Sequence, residues 1–181
     1  MNPMTTTSEK KMSMLKSLRT LSLMLFAATL AATSTIAQTD SQKAFTAIKN
    51  MPGSWEGKAA DGHPLQVTFK VVSGGSAVMS EILGDHDMIS MFNLDGANKL
   101  LLTHYCAIGN QPRMQANVSA DGKTITFNFV DATNLEGPDG GHMERMILTL
   151  LDDNHHTEDW TFVDHGKEMK EKEFFDLHRK M

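Results

Sequence analysis

The densest run of side chains able to do chemistry is THYCAIGNQPRM, Thr103 to Met114. It holds His104, Tyr105, Cys106, Asn110, Gln111 and Arg113. An imidazole and a guanidinium placed this close could meet the polar end of a small molecule, Arg113 by gripping a carboxylate with two parallel hydrogen bonds. A binding pocket needs a mostly apolar wall with a few such groups converging on it. Leu100, Leu102, His104 and Cys106 alternate with Leu101, Thr103 and Tyr105, so on a strand the first four share one face and Tyr105 takes the other. We therefore expect His104, Arg113 and Met114 to border a cavity, with Tyr105 and Trp160 within reach of the same rim. The same residues also allow a plainer arrangement, in which His104 is a hydrogen-bonded core residue and Asn110 and Gln111 only satisfy a turn.

A second cluster comprises His142, Glu144, Arg145, His155, His156, Glu158 and Trp160. Three histidines and a glutamate are zinc-ligand types. No H-E-x-x-H and no fixed Cys/His spacing organises them. The simpler reading is a solvated strand face with charge pairs, and no metal is assigned. No G-x-S-x-G, P-loop or G-x-G-x-x-G is present. No catalytic residue is assigned, and the chain reads as a binding protein more readily than as an enzyme. Cys106 is the single cysteine. It cannot form an internal disulfide, and burial is its expected fate.

These residues need elements to hold them. Residues 40–50 have a helical pattern, with Asp40 or Ser41 as cap and Phe45 and Ile48 on one face. Pro52-Gly53 ends it. Beyond that the period is two: Leu65, Val67, Phe69 and Val71 form one run, Met114, Ala116 and Val118 another, and Ile125, Phe127 and Phe129 a third. Turn dipeptides such as Asp61-Gly62, Asp95-Gly96 and Asp121-Gly122 separate such runs. About ten strands result, at 54–59, 64–72, 76–83, 88–95, 99–108, 113–119, 124–130, 142–151, 155–163 and 168–179, with 131–141 as a loop. A meander of hairpins closes most simply into an antiparallel up-and-down β-barrel, because closure removes the exposed edges. The fold class is all-β, with a short N-terminal helix. Met79, Met88, Met91, Met114, Met143 and Met146 would serve in its core or as an adaptable lining.

Residues 1–37 stand apart. Lys10, Lys11, Lys16 and Arg19 precede an apolar run from Leu21 to Ala32, and Thr35-Ile36-Ala37 follows as a cleavage site. That order is the signature of a secretory signal peptide. The run is shorter than the ~20 residues a membrane-spanning helix needs. Export to the periplasm or the extracellular space is expected, with one domain over 38–181 and no stable membrane insertion after cleavage. Of the 17 basic and 22 acidic residues, the leader takes four and one, leaving 13 and 21 and a formal net charge of −8. Such a surface argues against nucleic acid as a partner.

Three features resemble the calycin group, which includes lipocalins, fatty-acid-binding proteins and nitrobindin-type barrels. A short helix precedes Gly53-Ser54-Trp55, similar to the G-x-W that opens the first calycin strand. The last strand closes on Phe175-Asp176-Leu177-His178-Arg179. The strand count suits a ten-stranded barrel. Thr103 to Met114 and Glu158 to Phe162 are also similar to secreted bacterial proteins of this build. The resemblance implies that Arg179 lies across Trp55 and plugs one end of the barrel. It further implies a small apolar or amphipathic ligand. Two alternatives stay open: a haem-binding barrel of nitrobindin type, with His156 or His104 as the iron ligand, and a barrel filled by its own side chains that serves as a structural or interaction domain.

Overall fold

The computed structural model describes residues 37–84, 86–170 and 173–181. The expected leader therefore lies almost wholly outside the described residues. Residues Gln38–Met181 form one compact unit.

Helix α1, Asp40–Lys49, is capped by Thr39 rather than by Asp40 or Ser41. The Thr39 side chain accepts from the Gln42 backbone N–H, and the Gln42 side chain accepts from the Thr39 N–H. This reciprocal box satisfies two otherwise orphaned donors. Ala44, Phe45 and Ile48 are buried beneath the helix.

Eleven strands follow: β1 (Gly53–Lys58), β2 (Pro64–Val72), β3 (Ala77–Leu83), β4 (Met88–Asp95), β5 (Lys99–Tyr105), β6 (Gln111–Val118), β7 (Thr124–Thr133), β8 (His142–Asp152), β9 (His155–Asp164), β10 (Lys167–Glu168) and β11 (Glu173–Arg179). Each strand from β1 to β9 pairs antiparallel with the next, and β11 sits between β9 and β1. The result is a closed ten-strand antiparallel barrel, with β10 as a short extra pairing on β9. The continuous last strand expected over 168–179 is thus broken into β10 and β11.

The seam where the barrel closes is tight. A Cβ on Gly57 would lie 1.9 Å from the Asp176 carbonyl oxygen, so only glycine lets β1 approach β11 there.

Period two sorts the side chains as the alternation requires. Val67, Phe69, Phe92, Leu100, Leu102, Ile125, Phe127, Leu148 and Leu177 all point into the barrel and are buried. Register shifts interrupt the pattern, two in the β8–β9 pairing and one in the β6–β7 pairing. Arg113 pairs with Asp131 but Met114 with Phe129, so Val130 is an extra residue in β7, exposed on the outside. Such a bulge bends the strand and lengthens β7 past the point where its alternation fails. That is why β7 runs to Thr133, into the segment expected to be loop.

Candidate functional site

Side chains do not fill the barrel evenly. The end under α1 is packed and plugged. Trp55 is 1% exposed, and its Nε1 donates to the Met51 carbonyl at 2.9 Å. The Arg179 guanidinium lies 4.3 Å from the Trp55 ring. Its nitrogens donate to the carbonyls of Pro52 (2.8 Å), Asn50 (3.3 Å) and Asp153 (3.1 Å). A cavity of about 650 Å³ beside this plug is walled by Asn50, Trp55, Lys123, Asp152 and Arg179. Trp55 and Arg179 already direct their donors to backbone carbonyls; His156, which also lines this space, is the one residue of its wall with buried ring nitrogens that lack a hydrogen-bond partner among the described residues.

The opposite end is different. A mouth cavity of about 420 Å³ is lined by Leu65, Ile82, Met88, Met143, Trp160 and Phe175, with Asp61, His63, His86 and Glu173 at its edge. His104 forms part of its wall. Although smaller, this cavity matches the apolar-wall, few-polar-groups pattern of a ligand site.

His104 is 1% exposed. It lies opposite Ser90 on the neighbouring strand, and its Nδ1 shares a hydrogen bond of 3.0 Å with Ser90 Oγ. Its ring is 4.8 Å from that of Trp160. Nε2 is buried and has no hydrogen-bond partner among the described residues. Burial pushes the imidazole pKa down to about 4, so His104 is neutral at pH 7. A neutral imidazole is a donor on one nitrogen and an acceptor on the other. If Ser90 donates, Nε2 carries the hydrogen and is an unused donor; if Nδ1–H donates to Ser90, Nε2 keeps an unused lone pair.

Behind His104 runs a polar row on β9. Trp160 Nε1 donates to Glu158 Oε2 at 3.0 Å, and Glu158 Oε1 is 3.4 Å from His156 Nε2 without hydrogen-bond geometry. Glu158 is 1% exposed and His156 fully buried, its ring standing edge-on to Trp55 at 4.3 Å. The row joins the wall of the mouth to the plug.

The expected site residues separate accordingly. His104 and Trp160 come together in the wall. Met114 is fully buried in the core, between Leu102 and Phe129 on the neighbouring strands, and does not line the mouth. Tyr105 is 49% exposed and outward, because it follows the inward His104. Arg113 is also outward, for the same parity reason counted from Met114, and forms a fork with both oxygens of Asp131. Tyr105 and Arg113 therefore do not border the cavity. Cys106, expected buried, is partly exposed, because β5 ends at Tyr105 and Cys106 begins the turn that Asn110 closes.

The chain matches no family model and no curated protein. Its fold is that of a known structure. A crystal structure of Rv2717c from M. tuberculosis superposes with a TM-score of 0.54 at 16% identity, covering 76% of this chain and 98% of that one. At that identity the likeness speaks for the fold alone.

The second cluster was expected to be a solvated face, and the structure divides it. His156, Glu158 and Trp160 point inward. His142 is held by the Gly140 carbonyl and Glu144, and Arg145 by Thr161. His155 faces outward beside Asp176. The signal for the inward row was parity: once Trp160 is placed inside, Glu158 and His156 two and four residues earlier must follow it.

Proposed function

We propose that this is an exported calycin-like barrel that holds a small apolar or amphipathic molecule in its mouth. The observation that carries the reading is the unpartnered, buried Nε2 of His104 beside the apolar side chains of Leu65, Ile82, Met88, Met143 and Phe175. An unmet buried polar atom costs ~1–3 kcal/mol. A core position would favour leucine, so a retained imidazole there fits a ligand that supplies the missing partner, such as a carboxylate or hydroxyl oxygen. Packing around Phe92, Phe127 and Leu102 fills the barrel below, which favours a ligand confined to the mouth.

A second reading rests on the same atom. With Nδ1–H donating to Ser90, Nε2 is free to ligate iron, since a metal-bound histidine commonly donates its other ring N–H to a neighbouring acceptor that fixes the ring. His104 would then hold haem as its protein ligand, and haem would supply redox or gas-binding chemistry. His156 is the weaker candidate, since Trp55 and Phe69 enclose its ring.

Native mass spectrometry of the purified protein tests both. An adduct should accompany the wild type and Arg113→Ala but be depleted in His104→Leu. A Soret band in protein from a haem-fed culture, lost in His104→Leu, selects the haem reading. Bare-chain masses in every preparation, with no Soret band, would leave the barrel filled by its own side chains.

The export part of the proposal rests on the basic, apolar and small-residue order of residues 10–37 and the acidity of the remainder. Protein recovered from the cell envelope should begin at Gln38 or within a few residues of it. N-terminal sequencing that finds Met1 or Met12 there would overturn export with cleavage.

A further inference from the structure

On the outer wall of the barrel, at the seam, three ligand-type side chains converge from two strands. His155 is on β9; Asp176 and His178 are on β11. His178 lies directly across from His155, and Asp176, two residues earlier, projects on the same face. Both imidazoles turn Nε2 toward one carboxylate oxygen: His155 Nε2 is 2.6 Å from Asp176 Oδ1 and His178 Nε2 is 3.7 Å from it. The two rings are stacked, centroids 4.0 Å apart and planes at 22°. All three ligand atoms lie within 4.8 Å of one another.

We infer that His155, Asp176 and His178 form a zinc site that ties the last strand of the barrel to β9. One carboxylate oxygen is a good hydrogen-bond partner for one imidazole, and His155 already occupies it. The second ring is nonetheless brought face to face with the first, its Nε2 turned to the same oxygen. A divalent ion among the three would take a lone pair from each nitrogen and one from the carboxylate. Two histidines and one carboxylate are the ligand types of zinc, with metal–ligand distances of about 2.0–2.2 Å. Tetrahedral coordination at that length separates ligand atoms by roughly 3.3 Å. The present distances of 2.6 Å and 3.7 Å to Asp176 Oδ1 bracket this, so an ion would need the half-exposed Asp176 carboxylate to draw back from His155 and the exposed His178 ring to turn inward.

His178 and Asp176 are more than half exposed and His155 about one quarter, so water can complete the coordination. On the other flank, β1 places Glu56 across from His178 and Lys58 across from Asp176. Glu56 is paired with Lys180, which leaves Lys58 as the cation facing the site.

Untagged protein, stripped with EDTA, should take up one zinc ion per chain in a titration against a chromophoric chelator. His178→Gln, His155→Gln and Asp176→Asn should each weaken binding at least about tenfold, since losing even a residue that only orients a metal ligand costs roughly 10–100-fold. His165→Gln, on the exposed β9–β10 turn, should change nothing. Zinc at about a hundredfold excess over Kd should raise the melting temperature of the wild type by on the order of 5 °C, and of the three variants not at all. Circular dichroism in EDTA checks that each variant is folded; for one that is not, the remaining two decide. No zinc uptake by the wild type, or equal uptake by folded variants, would overturn the assignment.

Discussion

Trp55→Ala should lower the unfolding free energy by about 3–5 kcal/mol, the range for a fully buried large aromatic. Three separate losses combine. The indole ring leaves a cavity between Arg179 and the edge-on His156 ring. The Met51 carbonyl loses its donor at the end of the linker from α1 to β1. The Arg179 guanidinium loses the face it covers, a contact of ~0.5–2 kcal/mol. Because Trp55 is directly across from Arg179 in the β1–β11 pairing, the damage falls on the two strands that close the barrel. Trp55→Phe keeps an aromatic face and loses the hydrogen bond, so its cost should be nearer ~1–2 kcal/mol. Urea unfolding of the three proteins gives the comparison. A Trp55→Ala variant within 1 kcal/mol of wild type would show that the plug does not hold the seam.

The strands were legible in the sequence because they depend on local periodicity. The plug was legible only through the resemblance of Gly53-Ser54-Trp55 and of the last strand to calycin barrels. Val67 and Phe69, or Leu100 and Leu102, alternate with polar residues and fold as that alternation demands. Gly53 and Trp55 stand just after a helix stop. The errors occur where the period breaks. The extra residue Val130 extends β7 while Arg113 stays outward, so proximity to His104 in the chain did not become proximity in space. Tyr105 and Cys106 fail for a related reason: adjacent strand residues point oppositely, and a strand end releases the next side chain from either face. Glu158 was the hardest to place. A carboxylate is seldom fully buried without a partner, and its partner Trp160 lies on the same strand face, where parity alone reveals it. The pairing of His155 with His178 was invisible for another reason, since 23 residues separate them and only barrel closure brings their strands together.

The acid sensitivity of the fold should trace in large part to His104. Its imidazole is held neutral by burial, with a pKa near 4 in the folded protein against an ordinary 6.5. A depressed folded pKa means that the unfolded chain binds the proton more readily. The stabilisation is therefore complete above about pH 6.5, falls as pH drops toward 4, and levels off below that. At 1.36 kcal/mol per pKa unit, the loss is about 3 kcal/mol across that window. In His104→Leu the proton-binding group is gone, so the variant should lose about 3 kcal/mol less than wild type between pH 7 and pH 4. At pH 7 the two effects of the substitution oppose each other. Ser90 Oγ loses its hydrogen-bond partner on the neighbouring strand, at a cost of ~1 kcal/mol, while an unpartnered buried nitrogen is replaced by an apolar group, a gain of ~1–3 kcal/mol. The variant should accordingly be as stable as wild type or more so at neutral pH, yet retain less of any small molecule that uses Nε2. Urea unfolding at pH 7, 5.5 and 4 for both proteins separates these terms. Parallel pH profiles would mean that His104 is not the buried neutral base described here. Destabilisation at pH 7 with ligand occupancy unchanged would make the imidazole a structural partner of Ser90 rather than the wall of a binding site.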